Sequence, residues 1–108
     1  MSPITTHVLD TARGVPAAGV PVTLECGPDW DEVGSGRTGD DGRLAELGSP
    51  EAPGAYRLRF DTGAYFQAAG MSAFFPEVTV RFTIERPTEH FHVPLLLSPF
   101  GYSTYRGS

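Results

Sequence analysis

The chain contains no lysine; all eight of its basic residues are arginine. That absence excludes Schiff-base catalysis, a lysine anchor for pyridoxal phosphate and the lysine of a phosphate-binding P-loop. Cysteine is nearly absent too. A lone Cys26 cannot close an internal disulfide, so no stapled secreted scaffold is expected and a cytoplasmic setting is the simplest reading. No apolar run approaches the ~20 residues that cross a bilayer as a helix. The opening Met-Ser-Pro-Ile-Thr-Thr-His has neither the charged nor the apolar region of a secretory leader. Long runs of one charge are missing as well. With a formal net charge of −5 spread over the chain, neither nucleic acid nor an anionic membrane is expected as a partner.

What is present is short-period alternation. At 108 residues, 40% of them apolar, the chain is expected to form one domain, residues 1–108, around a modest core. Val78, Val80, Phe82 and Ile84 alternate with Thr79, Arg81 and Thr83, which marks a strand with one buried face. Val22 to Cys26 and Tyr56 to Phe60 repeat the pattern. Further strands are predicted over Ile4 to Asp10, Trp30 to Thr38, Arg43 to Glu46, His90 to Leu97 and Tyr102 to Arg106. Glycine and proline collect between these runs, as in Gly39-Asp40-Asp41-Gly42, which is turn chemistry. Only Thr62 to Ala69 reads as a helix, with Asp61 or Thr62 as its N-cap and Gly70 as its stop. About eight short strands and one helix predict an all-β sandwich or barrel.

The candidate chemistry starts with three histidines. His7 shares a strand face with Thr5 and Leu9, and is either a half-buried structural residue or a group facing a wet cleft. His90 and His92, two apart on a strand, project from one face and with His7 could ligate a zinc ion. Against that reading, Glu89, the adjacent carboxylate, has the opposite parity. His90 on its own reads as a solvated residue at a strand start. Arg43 follows the Gly-Asp-Asp-Gly turn, and Arg57, Arg59 and Arg81 read as members of a solvated face. Cys26, in phase with Val22 and Leu24, reads as core. Neither Gly70-Met71-Ser72 nor Gly101-Tyr102-Ser103 makes a nucleophile elbow, and no His-Glu-x-x-His helix exists. Two tyrosines and an arginine near residue 108 fit either a tail held in order against its surroundings, another subunit among them, or a frayed polar tail.

Thr6-His7-Val8-Leu9-Asp10, Thr38-Gly39-Asp40-Asp41-Gly42-Arg43, Phe74-Phe75-Pro76-Glu77-Val78, and the stretch from His90 through Leu97-Ser98-Pro99 to Tyr105-Arg106-Gly107-Ser108 together resemble the 5-hydroxyisourate hydrolases, the transthyretin-related enzymes of purine breakdown. The likeness spans nearly the whole chain. The Tyr-Arg-Gly-Ser tail is its most specific part, separating the enzymes from hormone-carrying transthyretins. The resemblance implies a transthyretin-like β-sandwich of two four-stranded sheets with one short helix. It also implies a homotetramer with sites where two dimers meet, and no cofactor or metal. Carried over by motif, the catalytic groups are His7, Arg43, His92 and Tyr105. The small-molecule substrate is bound by His7, Arg43, Tyr105, Arg106, Gly107 and Ser108. The implied reaction converts 5-hydroxyisourate to 2-oxo-4-hydroxy-4-carboxy-5-ureidoimidazoline. One of His7 and His92 activates water while the other positions it or donates a proton, and Arg43 stabilises the oxyanion and keeps a nearby imidazole neutral. A ligand carrier without chemistry and a zinc hydrolase built on His7, His90 and His92 are the competing readings.

Overall fold

The computed structural model describes residues 4–108. Nine strands and one helix follow in order: β1 (Ile4–Asp10), β2 (Val15–Pro16), β3 (Pro21–Cys26), β4 (Asp31–Arg37), β5 (Arg43–Leu44), β6 (Gly54–Phe60), α1 (Thr62–Ala68), β7 (Val78–Ile84), β8 (Phe91–Ser98) and β9 (Gly101–Thr104). The alternating segments become strands because a period of two puts every second side chain on one face of a pleat. Two sheets result. One runs β4-β3-β6-β7, and the other runs β2-β1-β8-β9 with β5 also paired to β1. The predicted sandwich with a single helix is therefore present. Its second sheet has a four-strand path and gains a fifth, two-residue member because β2 and β5 share one edge of β1 end to end.

Between the sheets lies an apolar core. Val8, Leu24, Leu58, Phe60, Phe66, Ile84 and Leu95 are all buried there. Burying each such side chain contributes about 1.5–3 kcal/mol, the main term holding the sheets face to face. Asp10 ends β1 with its carboxylate inside. It accepts the Ala12 and Arg13 amides at 3.1 and 3.0 Å and the Tyr65 hydroxyl at 2.7 Å, tying α1 to the first turn. Asp61 caps α1 as predicted, its side chain accepting the Ala64 amide at 3.1 Å. Among the described residues no helix is long and apolar enough to cross a membrane.

Two sequence expectations change in the structure, for Trp30 and for the arginines, and one is refined, for Cys26. Trp30 is not in a strand: it takes a left-handed backbone, φ 61°, in the turn before β4. Cys26 keeps the inward phase of β3 and packs against the core, though only half-buried, while Glu25 on the opposite face is buried beside the arginines of β6; the bulge opposite Leu24 and Glu25 puts its extra residue, Val33, in β4. The solvated-face arginines are also engaged. Arg57 and Arg59 donate to Glu25 at 2.6 and 3.1 Å, and the Trp30 ring lies against the guanidiniums of Arg57 and Arg81, 4.4 and 4.8 Å from its centroid.

Candidate active site

The candidate site sits on the outer face of the β1–β8 sheet. In β1, Ile4, Thr6, Val8 and Asp10 are buried, so Thr5, His7 and Leu9 must point the other way. β8 runs parallel to β1, with Thr5 opposite His92, His7 opposite Pro94 and Leu9 opposite Leu96. His92 is consequently a diagonal neighbour of His7, their Cα atoms about 8 Å apart by strand spacing. On the far edge of β1, β5 sets Arg43 directly opposite His7. Two imidazoles and a guanidinium from three strands therefore share one face.

The turn ahead of β5 seats Arg43. Gly42 has φ 79°, and a Cβ there would stand 2.4 Å from the Val8 carbonyl oxygen, so only glycine lets the turn lie on β1. The Val8 amide bonds the Gly42 carbonyl at 2.8 Å, and the Arg43 amide bonds Asp41 Oδ1 at 3.0 Å. Asp41 also offers its backbone carbonyl to Nε2 of His7 at 2.9 Å. Because a carbonyl only accepts, His7 carries a proton on Nε2 and donates it there. The Arg43 guanidinium, paired loosely with the exposed Asp41 carboxylate at 4.0 Å, stays available to a ligand.

His92 is held on two sides. Its Nδ1 lies 2.8 Å from the Thr5 hydroxyl, which also reaches Nε2 of His90 at 3.3 Å. Across the ring, the tail returns along β8 and the Gly107 amide donates to the His92 carbonyl at 2.8 Å. A Cβ on Gly107 would stand 2.6 Å from Cδ2 of the ring, so the glycine is required by contact. Nε2 makes no hydrogen bond among the described residues. Burial holds the His92 pKa below its ordinary 6.5, and electrostatic repulsion, from the Arg43 guanidinium first and then from the neighbouring His7 and His90 rings, pushes the same way, while a hydrogen-bond contribution from Thr5 does not offset them. His92 is thus a neutral imidazole at neutral pH.

Arg43, His92 and Ser108 line one cleft of about 240 Å³ together with Thr5 and His90. The other two tail residues expected at the site stand apart in the single chain. Tyr105 is 58% exposed. Arg106 turns toward a second, more apolar hollow, where its guanidinium lies over the Phe91 ring at 4.9 Å and 3.6 Å from the Glu89 carboxylate. That carboxylate and ring offer a cation more than the histidine-rich cleft does. Thr5 and Asp41 were not singled out in the sequence; the signals available were Thr5's shared parity with His7 and Asp41's place between two turn residues and Arg43. As for zinc, His90 and His92 both turn a ring nitrogen to one hydroxyl, and among the described residues no three His, Cys, Asp or Glu groups are placed to hold a metal.

Comparison with known proteins agrees with this fold. The model of the HIUase/Transthyretin family matches residues 4–107. The 5-hydroxyisourate hydrolase of Salmonella dublin is 49% identical over 97% of this chain and 80% of its own length. The solved structure of Klebsiella pneumoniae 5-hydroxyisourate hydrolase superimposes with a TM-score of 0.89 at 39% identity, covering 100% of both chains. Sea bream transthyretin, solved with thyroxine, matches with the same TM-score of 0.89 but 31% identity, over 97% of this chain and 94% of its own. The fold is common to enzyme and carrier, whereas the identity is higher to the hydrolases.

Proposed function

Because the chain belongs to the HIUase/Transthyretin family, we propose that it hydrolyses 5-hydroxyisourate in urate degradation, with His92 as the base. The observation that carries this reading is a neutral imidazole whose Nε2 is unengaged, beside an available guanidinium on the same face. His92 takes a proton from water at Nε2 as the water oxygen adds to the ring carbonyl carbon. Arg43 cannot act as a base, so its charge meets the developing oxyanion. The carbon–nitrogen bond then breaks, the oxyanion returns to a carbonyl, and the imidazolium gives its proton to the leaving nitrogen. Atoms and charge balance without a cofactor, and the product is 2-oxo-4-hydroxy-4-carboxy-5-ureidoimidazoline. His7, its Nε2 proton committed to Asp41, positions the water through Nδ1.

Ser108 borders the cleft and Gly107 supports the base, which gives the tail a role at the site. Exposed Tyr105 supplies a wall and a hydroxyl. Arg106 reaches the substrate's carbonyl edge only by leaving Glu89, so its contribution belongs to the assembled or substrate-bound state. We place the sites at the dimer–dimer interface of a homotetramer. Half-buried Leu9 and Leu96, side by side on the site's own face, favour burial of that face by another copy, and so do Phe74 and Phe100, 72% and 75% exposed. A cytoplasmic location fits the unpaired Cys26.

The decisive measurement follows the ultraviolet absorbance of freshly generated 5-hydroxyisourate. The protein should speed its loss well beyond the spontaneous rate, and His92→Ala should keep the circular dichroism spectrum while losing most turnover, about 10²-fold or more. Decay no faster than in buffer would leave only a carrier; an active His92→Ala would move the base elsewhere.

A further inference from the structure

The Thr5 hydroxyl touches two imidazoles, Nδ1 of His92 at 2.8 Å and Nε2 of His90 at 3.3 Å. A hydroxyl has one proton to give. When both bonds are made it donates to one ring nitrogen and accepts from the other, so the two rings cannot choose their tautomers independently. For a neutral His92 to act as a base, Nε2 must be bare and the ring's proton must sit on Nδ1. That proton then goes to Thr5, whose own proton must turn to the bare Nε2 of His90, the other partner in reach.

We propose, on the reading of His92 as the base, that Thr5 and His90 are positioning residues that hold His92 as its Nδ1–H tautomer with Nε2 bare toward the cleft. His90 thereby gains a role that its exposed place ahead of β8 did not suggest. The backbone keeps the unit in register. Thr5 lies directly opposite His92 in the parallel ladder, and the neighbouring Thr6 hydroxyl bonds the Val93 carbonyl at 2.6 Å, clamping the two strands beside the pair. Gly107 closes the Cδ2 edge, so the ring cannot swing away from Thr5. Without His90, the hydroxyl proton is free to point at Nδ1, and the ring is left with its proton on Nε2, where it cannot take one from water.

The test uses the full chain labelled with ¹⁵N-histidine, its ring nitrogens observed at mildly alkaline pH. Wild-type His92 should show a protonated Nδ1 and a bare Nε2. Thr5→Val, similar in size but without the hydroxyl, should shift those signals toward the opposite tautomer and lower kcat at least about tenfold with little change in KM. Thr5→Ser should restore both signals and rate, and His90→Ala should move the His92 signals although it leaves Thr5 in place. A wild-type ring protonated on Nε2, or Thr5→Val with unchanged signals and kcat, overturns the proposal. The two readings fail separately: an active His92→Ala removes the base assignment, whereas the wrong tautomer in wild type beside an inactive His92→Ala removes only the role of Thr5 and His90.

Discussion

A methyl group on residue 107 would have to displace the His92 ring, because the added carbon would stand 2.6 Å from Cδ2. Gly107→Ala is therefore expected to lower kcat about tenfold or more while thermal stability changes little, as misplacing one catalytic group by an ångström is enough for that loss. Steady-state kinetics beside a melting curve checks it. The pH profile is a second prediction at this scale. A base held below 6.5 keeps its lone pair through neutrality, so the acid limb of kcat/KM should lie below 6.5 and activity should fall only as pH drops through it. Arg43→Gln removes one of the charges that depress His92, so the limb should move up in pH, apart from the loss in rate. A limb that stays put would mean that Arg43 does not act on this imidazole. His7, Arg43 and His92 were legible in the sequence because each has a motif and a strand parity. The bond from Thr5 to His92 was not, since it spans 87 positions and depends on which strands become neighbours. The place of Arg106 was equally hidden: Glu89 and Phe91 compete for it only once the tail lies along β8.

Among the elements, β3, β6 and β7 carry a polar cluster on the face away from the core. Burial pushes the Glu25 carboxyl up, but hydrogen bonds from Arg57 and Arg59 and their charges outweigh it and hold the group below its ordinary 4.5. A depressed carboxylate adds stability that is present above that value and is lost as pH falls through the lower folded value. Glu25→Gln should therefore cost roughly 1–3 kcal/mol at pH 7, and wild type and variant should converge in strongly acidic buffer, as read by denaturant titration. Equal stability at pH 7 would show the cluster to be ornamental. Alternation alone located the long strands, including all of β1. It did not find β2, whose two residues have no periodicity to show, and it could not foresee that Glu25, on the outward face of β3, is buried beside Arg57 and Arg59. Parity assigns a face but not what covers it, so the arginines of β6 looked idle until strand pairing set them beside Glu25.

At the scale of the molecule, the outer face of the β1–β8 sheet mixes catalytic groups with apolar ones. Leu96→Glu places a charge among Leu9 and the surfaces that we propose meet across the dimer–dimer boundary. It should shift the protein from tetramer to smaller species in light scattering coupled to gel filtration, and should reduce turnover, while the monomer's core, which Leu96 does not fill, remains folded. A variant that stays tetrameric would move the boundary elsewhere. The two-sheet architecture was predictable from strand number and turn spacing. Which strands lie side by side was not, because pairing β1 with β8 joins segments from opposite ends of the sequence.

That parallel pairing has a consequence for biosynthesis. Residues 4–10 leave the ribosome long before residues 91–98, yet that later segment supplies the ladder that aims their histidine, so nothing resembling the reactive centre exists until it has been made. Until then the first strand lacks one hydrogen-bonding neighbour and is open to strangers. A nascent polypeptide halted near residue 85 should thus be catalytically silent and prone to stick to its fellows.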